Sequence, residues 1–153
     1  MTEIQNDKDY QTTLSTDRFL PTENDKESPC LADPLGEGGG IKIAKGLLKI
    51  TLGYWMSCGG WESSSDEYIF RYENLRFRLI GYNHYNFMRN SGEGKKSSIN
   101  YLTGKIKIIE GLNEFEEKES KPKITWKKIE NNVPKYLDEI TGLGISNIIL
   151  FGI

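Results

Sequence analysis

The sequence predicts a mainly β protein: an antiparallel meander of about eight short strands, forming a curled sheet or partly open barrel, with a short C-terminal helical turn. Three observations predict it. Apolar residues recur at every second position from Ile41 onward, the spacing of half-buried strands. Turns containing glycine or asparagine punctuate these runs. No stretch of helical period between them is long enough to carry the chain over to a parallel neighbour, so the connections are expected to be hairpins.

Residues 1–40 read as a polar, extended or disordered arm. They are rich in Asp, Glu, Thr, Asn and Lys, and they show no period that would bury a face. Leu14, Phe19 and Leu20 are its candidate anchors, and the core itself is expected from about residues 41 to 130. Pro29 and Pro34 push their predecessors away from helix, and the glycines from Gly36 to Gly40 make a hinge. A phosphate loop is not expected there, because these glycines precede a strand and no Lys-Ser follows.

The β-domain is expected over residues 41–140. Ile41 and Ile43 alternate with Lys42, Lys45-Gly46 turns the chain, and Leu48, Ile50, Leu52 and Tyr54 return along one face. Residues 56–65 read as a loop of small residues that holds Trp61. Residues 66–74 place Tyr68, Phe70 and Tyr72 on one side. Residues 76–83 place Phe77, Leu79 and Gly81 together, with Gly81 a candidate bulge, and residues 85–89 continue or bend that strand. Residues 97–102 and 105–110 form a hairpin about Thr103-Gly104, in which Ile99 and Tyr101 meet Ile106 and Ile108. Residues 111–121 read as charged loop. In residues 123–129, Ile124 and Trp126 are expected to face inward and Lys127 and Lys128 outward. Residues 134–140 suit a single helical turn. Residues 141–153 form an apolar tail, either an added strand or an exposed sticky end.

Composition narrows the function classes. The chain has 153 residues and a net charge of −2, with no clustered basic excess of the kind nucleic acid requires. No run of about 18 apolar residues is present to span a membrane. Residues 1–10 are polar and lack the basic and apolar regions of a signal peptide. As written the chain reads as cytoplasmic, or as one whose leader is not part of it. Cys30 and Cys58 are too few to hold zinc by themselves. They are either two buried thiols or a disulfide that ties the arm to the β-domain. A disulfide would contribute about 3 kcal/mol and imply an oxidising compartment.

Several motifs together carry a resemblance. Asp33-Pro34-Leu35 is followed by Gly46-Leu47-Leu48-Lys49-Ile50, Cys58-Gly59-Gly60-Trp61 and Tyr68-Ile69-Phe70-Arg71-Tyr72-Glu73-Asn74. Phe77-Arg78-Leu79-Ile80-Gly81-Tyr82, Ser91-Gly92-Glu93 and Asn100-Tyr101-Leu102-Thr103-Gly104-Lys105 come next. In order and spacing these resemble an uncharacterised family of exported bacterial proteins, whose longer members carry an FG-GAP or VCBS-type repeat upstream. The resemblance covers residues 17–140 and implies a periplasmic or secreted protein. It brings no activity with it. The aspartate-rich calcium loop of the longer members is absent here, so the chain reads as the C-terminal β-region of such a protein, or as a truncated fragment of one.

No catalytic set is apparent. His84 is the sole histidine, and no Cys-His or Ser-His-Asp spacing accompanies it. A hydrolase would have to draw its acid and base from Glu62, Asp66, His84 and Glu93. No metal or cofactor is expected. The candidate binding residues are Trp55 and Trp61, which flank a small-residue loop, with Tyr85, Arg76 and Arg78. Arg71, Arg76, Arg78 and Arg89 form either a cationic stripe or ordinary cross-strand pairs with Glu67, Glu73 and Glu93. The expected function is a non-catalytic interaction protein of the cell envelope, of immunity or inhibitor type, with a protein partner. The alternative is a small-ligand or glycan-binding β-domain.

Overall fold

The computed structural model describes residues 15, 19–20, 30–36, 38–116, 121–129 and 135–140. Its strands are β1 (Gly40–Ala44), β2 (Leu47–Trp55), β3 (Glu62–Glu73), β4 (Arg76–Met88), β5 (Glu93–Asn100), β6 (Lys105–Asn113) and β7 (Lys123–Lys128). Each pairs antiparallel with its neighbours in sequence, so the described residues build one seven-stranded meander, with β1 and β7 as its edges among them. The sheet is not closed into a barrel. The count is seven rather than about eight because residues 85–88 belong to β4 and extend it.

One irregularity governs the sheet. From the Asn74-Leu75 turn, β3 and β4 pair in step as far as Phe70 opposite Leu79. Ile69 then pairs with Gly81, which leaves Ile80 as the extra residue of a bulge. Before the bulge Phe77 and Leu79 point to the core, and after it Tyr82 and His84 do. Gly81 stands on the other face, where a Cβ would meet the Ile69 Cδ1 at 3.3 Å.

The core face carries Ile50 and Leu52 from β2, Tyr68 and Phe70 from β3, Leu79 and Tyr82 from β4, Ile99 from β5, and Ile106 and Ile108 from β6. All are buried. A single sheet cannot cover its own apolar side, and segments beyond the strands do so here. Phe19 of the arm is buried edge-on to Tyr68 and Phe70, with ring centroids 5.1 and 6.2 Å away. From the other end of the chain, Leu137 and Ile140 join the same cluster around a 3-10 turn at Leu137–Glu139. The core is therefore wider than residues 41 to 130. Residues 31–34 run beside the end of β2. Leu31 bridges Met56, the Ala32 amide donates to the Trp55 carbonyl at 3.0 Å, and the Gly53 amide donates to Pro34 at 2.8 Å.

Several expectations are corrected. Residues 62–65 are strand, not loop. β6 runs to Asn113 through a bulge at Gly111, which has a φ of 79°. Ile124 and Trp126 do not face inward: they lie on the outer face, 51% and 62% exposed. The register sets Lys107 opposite Trp126 and Ile106 opposite Lys127, so it is Lys127 that shares the core side. Alternation gives two candidate faces, and burial of the partner strand chooses between them. At the edge strand β7 the core side has run out of cover, so apolar residues gain nothing there. Leu14, residue 134 and the tail 141–153 lie outside the described residues.

The turns explain the tight hairpins. Lys45-Gly46 has φ values of 52° and 74°, and Asn74-Leu75 has 51° and 61°. Both pairs are left-handed at both central positions, the geometry that suits the right-handed twist of the flanking strands. Gly46 takes it freely, but Leu75 takes it with a Cβ that crowds the backbone, and its side chain is 81% exposed. Leu75→Gly is expected to raise the unfolding free energy by about 0.5–1 kcal/mol, the left-handed penalty less the added freedom of the unfolded chain. A chemical-denaturation midpoint that falls or stays constant would refute this.

Candidate functional site

The ends of β2 and β4 and the start of β3 meet where the arm joins the sheet. On the outer face Gly53, Ser65 and Tyr85 form one cross-strand row, and Trp55, Ser63 and Phe87 the next. With Ala32 and Asp33 alongside, these rows wall a cleft of about 530 Å³, within the usual range for ligand sites. Glycine and serine are small, so the floor is low and hydroxyl-bearing. The walls are aromatic.

The walls are braced. Tyr85 and Phe87 stack with centroids 5.8 Å apart, the Tyr85 hydroxyl donates to Glu114, and the Lys96 ammonium lies 4.9 Å from the Tyr85 ring. The Arg89 guanidinium stacks 3.9 Å from the Trp55 ring and donates to the carbonyls of Met56 at 3.3 Å and Gly60 at 2.8 Å. The Arg89 amide in turn donates to the Trp61 carbonyl at 2.7 Å. Cys30 and Cys58 lie at disulfide distance, their α-carbons 5.5 Å apart, and the Ser57 amide donates to the Cys30 carbonyl. The loop between β2 and β3 is thus held from both sides. Trp55 remains 47% exposed and Trp61 60% exposed on it.

Trp55 and Tyr85 therefore meet in one cleft, with Trp61 on the loop beside it. Arg76 and Arg78 lie elsewhere, at the turn end of the β3–β4 hairpin. Arg76 donates to Asp138 and Glu139, each at 2.8 Å, and lies over the Tyr136 ring at 3.8 Å. These two acids raise its pKa, Glu139 more than Asp138. Arg78 and Arg71 both bond Glu73 and hold its carboxyl below the usual carboxylate range, Arg78 foremost. These arginines tie strands and the C-terminal segment together, and none of these partners belongs to the cleft.

On the core side, Asp66 is 2% exposed and has polar partners. Its Oδ1 accepts the Tyr82 hydroxyl at 2.6 Å and lies 2.6 Å from His84 Nδ1. Asp66, His84 and Ser97 share one cross-strand row. Of the four candidate acid–base residues, only Asp66 and His84 meet. Glu62 accepts from Asn86 at 3.3 Å on the neighbouring β4, and Glu93 opens β5. A carboxylate beside an imidazole fixes the ring's orientation, which serves a buried network as well as a catalytic one. Among the described residues no group of three His, Cys, Asp or Glu could hold a metal ion. Nor, among them, is any helix long and apolar enough to cross a membrane. Comparisons with protein-family models, curated proteins and solved structures find no match to this chain.

The tyrosines around Asp66 give a measurable consequence. Burial first, then the Asp66 charge, drives Tyr54, Tyr68 and Tyr82 well above the ordinary tyrosine range, and burial pushes Tyr101 up to about 12. A raised folded pKa means that the folded state keeps protons the unfolded chain releases near pH 10. This stabilisation is complete below about pH 10 and is lost as pH rises towards the folded values. In an alkaline titration followed by phenolate absorbance, these four are expected to ionise only as the sheet unfolds. Ionisation of all eight tyrosines near pH 10 with circular dichroism unchanged would refute the network.

Proposed function

We propose that the chain is a non-catalytic binding domain that works outside the cytoplasm and grips another protein, in the manner of an immunity or inhibitor protein. The observation that carries this reading is Trp61, a large aromatic 60% exposed on a loop that Arg89 and the Cys30–Cys58 pair hold still. An indole presented on a braced loop is suited to anchor a partner, and rigidity lowers the ordering cost of binding. The cysteine pair suits an oxidising compartment, and the resemblance to exported bacterial proteins points the same way. A glycan in the cleft is the second reading, favoured by its serine floor between the aromatic walls of Trp55 and Tyr85.

The test immobilises the chain, captures partners from envelope extract and medium, and repeats the capture with Trp61→Ala. That substitution is expected to weaken the contact by about 2 kcal/mol, with the fold intact because the ring is exposed. Failure of any extract to yield a protein lost on Trp61→Ala removes the protein reading. A neutral glycan panel that quenches tryptophan fluorescence, with Trp55→Ala abolishing the effect, supports the second instead.

The cysteines give a further expectation. Their 28-residue separation implies that Cys30→Ser with Cys58→Ser lowers stability by about 3 kcal/mol and loosens the loop that carries Trp61. Equal denaturation midpoints for the oxidised protein and the double variant would count against both effects.

A further inference from the structure

We infer that the outer face of β5, β6 and β7 is a second binding site, built for an acidic oligosaccharide of the uronate class. Charge is the first argument. The cross-strand register places Lys105, Lys107 and Lys128 on this face, with Lys96 further along against the Tyr85 ring, and none of the three strands presents a carboxylate there. Glu93 and Glu110 both turn to the core side. Glu116 lies near Lys96, away from the groove, and two further acids are already engaged. Glu67 on β3 accepts from Asn83 at 2.8 Å and pairs with Lys49, and Glu114 beyond β6 takes the Tyr85 hydroxyl.

Lys105 stands directly opposite Lys128, an arrangement that costs stability. Of the other facing lysines, Lys42 and Lys49, the second pairs with Glu67 at 3.7 Å. No ion pair relieves Lys105 or Lys128 among the described residues. A chain of net charge −2 thus concentrates unneutralised positive charge on one strand cluster.

Shape is the second argument. A shallow groove of about 520 Å³ crosses this face. Ile69, Ile80 and Gly81 line it, and a Cβ at Gly81 would crowd the Ile69 Cδ1 at 3.3 Å. Trp126, 62% exposed, and Leu102, 49% exposed, stand along it with Lys105 and Lys107. Polar groups line it too. Asn100 is fixed in orientation because its Oδ1 accepts the amides of Leu102 at 3.0 Å and Thr103 at 3.1 Å, which leaves its amide nitrogen as a donor.

These groups suit the chemistry of a uronate sugar. An indole covers the apolar face of a pyranose ring, amide and hydroxyl groups take its hydroxyls, and lysine takes a carboxylate. A lipid surface fits less well, because much of the apolar surface here lines a groove rather than forming a protruding wedge. An acidic peptide supplies the charge but no flat apolar face for Trp126.

The experiment titrates the full chain by calorimetry with oligogalacturonides. Methyl-esterified oligogalacturonides, polyglutamate, single-stranded RNA and anionic vesicles are run in parallel, each at low and physiological salt. The free acid is expected to bind at least about tenfold more tightly than the ester and to weaken as salt rises. Trp126→Ala and the double variant Lys105→Gln, Lys107→Gln are each expected to weaken it about tenfold or more, with melting unchanged in the first and raised in the second, where the Lys105–Lys128 opposition is removed. Trp61→Ala is expected to leave it unaltered, which separates this site from the protein-binding loop. Equal binding of polyglutamate, RNA or vesicles would reduce the face to general charge attraction and overturn the assignment. So would absence of oligogalacturonide binding, or binding that survives both the Trp126 and the lysine variants.

Discussion

Side chains along a strand alternate between two faces, so one inserted residue exchanges the faces of everything beyond it. In β4 that residue is Ile80. Up to Leu79 the strand gives the core its odd-numbered residues, and from Tyr82 onward its even-numbered ones. Tyr82 and His84 thereby reach Asp66, while Tyr85 and Phe87 turn outward beside Trp55 and the serines of β3. Without the bulge, counting back from the Glu73–Arg76 pair would set Asp66 opposite Asn83, put Gly81 in place of Tyr82 opposite Tyr68, and turn Tyr85 to the core side opposite Ser64. Both the buried polar network and the aromatic cleft depend on that one residue. Gly81 beside it leaves room for Ile69 on the outer face.

A lone sheet has a second constraint: its apolar side needs cover that hairpins alone do not supply. Phe19, with Leu35 partly buried against the cluster, comes from before the first strand, and Leu137 and Ile140 from after the last. Each fully buried side chain of this size contributes about 1.5–3 kcal/mol, so Phe19, Leu137 and Ile140 matter in a sheet of modest area. The covers are fastened by different means. Residues 30–34 are held by the cysteine pair and by amide bonds to the end of β2. Residues 135–140 are held by the Leu79–Lys135 backbone bond and by Arg76 reaching Asp138 and Glu139. The arginines that the sequence offers as a stripe are accordingly fasteners of the fold.

How much of this was legible depends on whether the information was local. The strands, the Lys45-Gly46 turn and the possibility of a bulge at Gly81 follow from period and turn chemistry, which involve adjacent residues. The side of Trp126 was not legible, because β7 is amphipathic in either sense and only its partner's burial decides. The Asp66–His84 contact joins residues 18 apart and needs the bulge to be counted correctly. Trp55 and Tyr85 were each recognisable as aromatics near a turn. Their convergence on Ser63, Ser64 and Ser65 was hidden, because those serines resemble loop until the register places them in β3.

Where local chemistry opposes stability, something other than folding has to account for it. The outer face holds two such places at separate positions. At the cysteine-bound end, Trp55 and Trp61 stay exposed although the loop beneath them is braced by Arg89. At the β7 edge, lysine faces lysine beside an exposed Trp126. Lysine at a sheet edge does guard against strand-to-strand aggregation, and Lys127 and Lys123 serve that end. Guarding an edge does not require Lys105, which lies one strand inside it, nor a tryptophan set between lysines. These two places are where the proposed contacts fall, and their chemistry differs: two indoles by a braced loop at one, a single indole among lysines at the other.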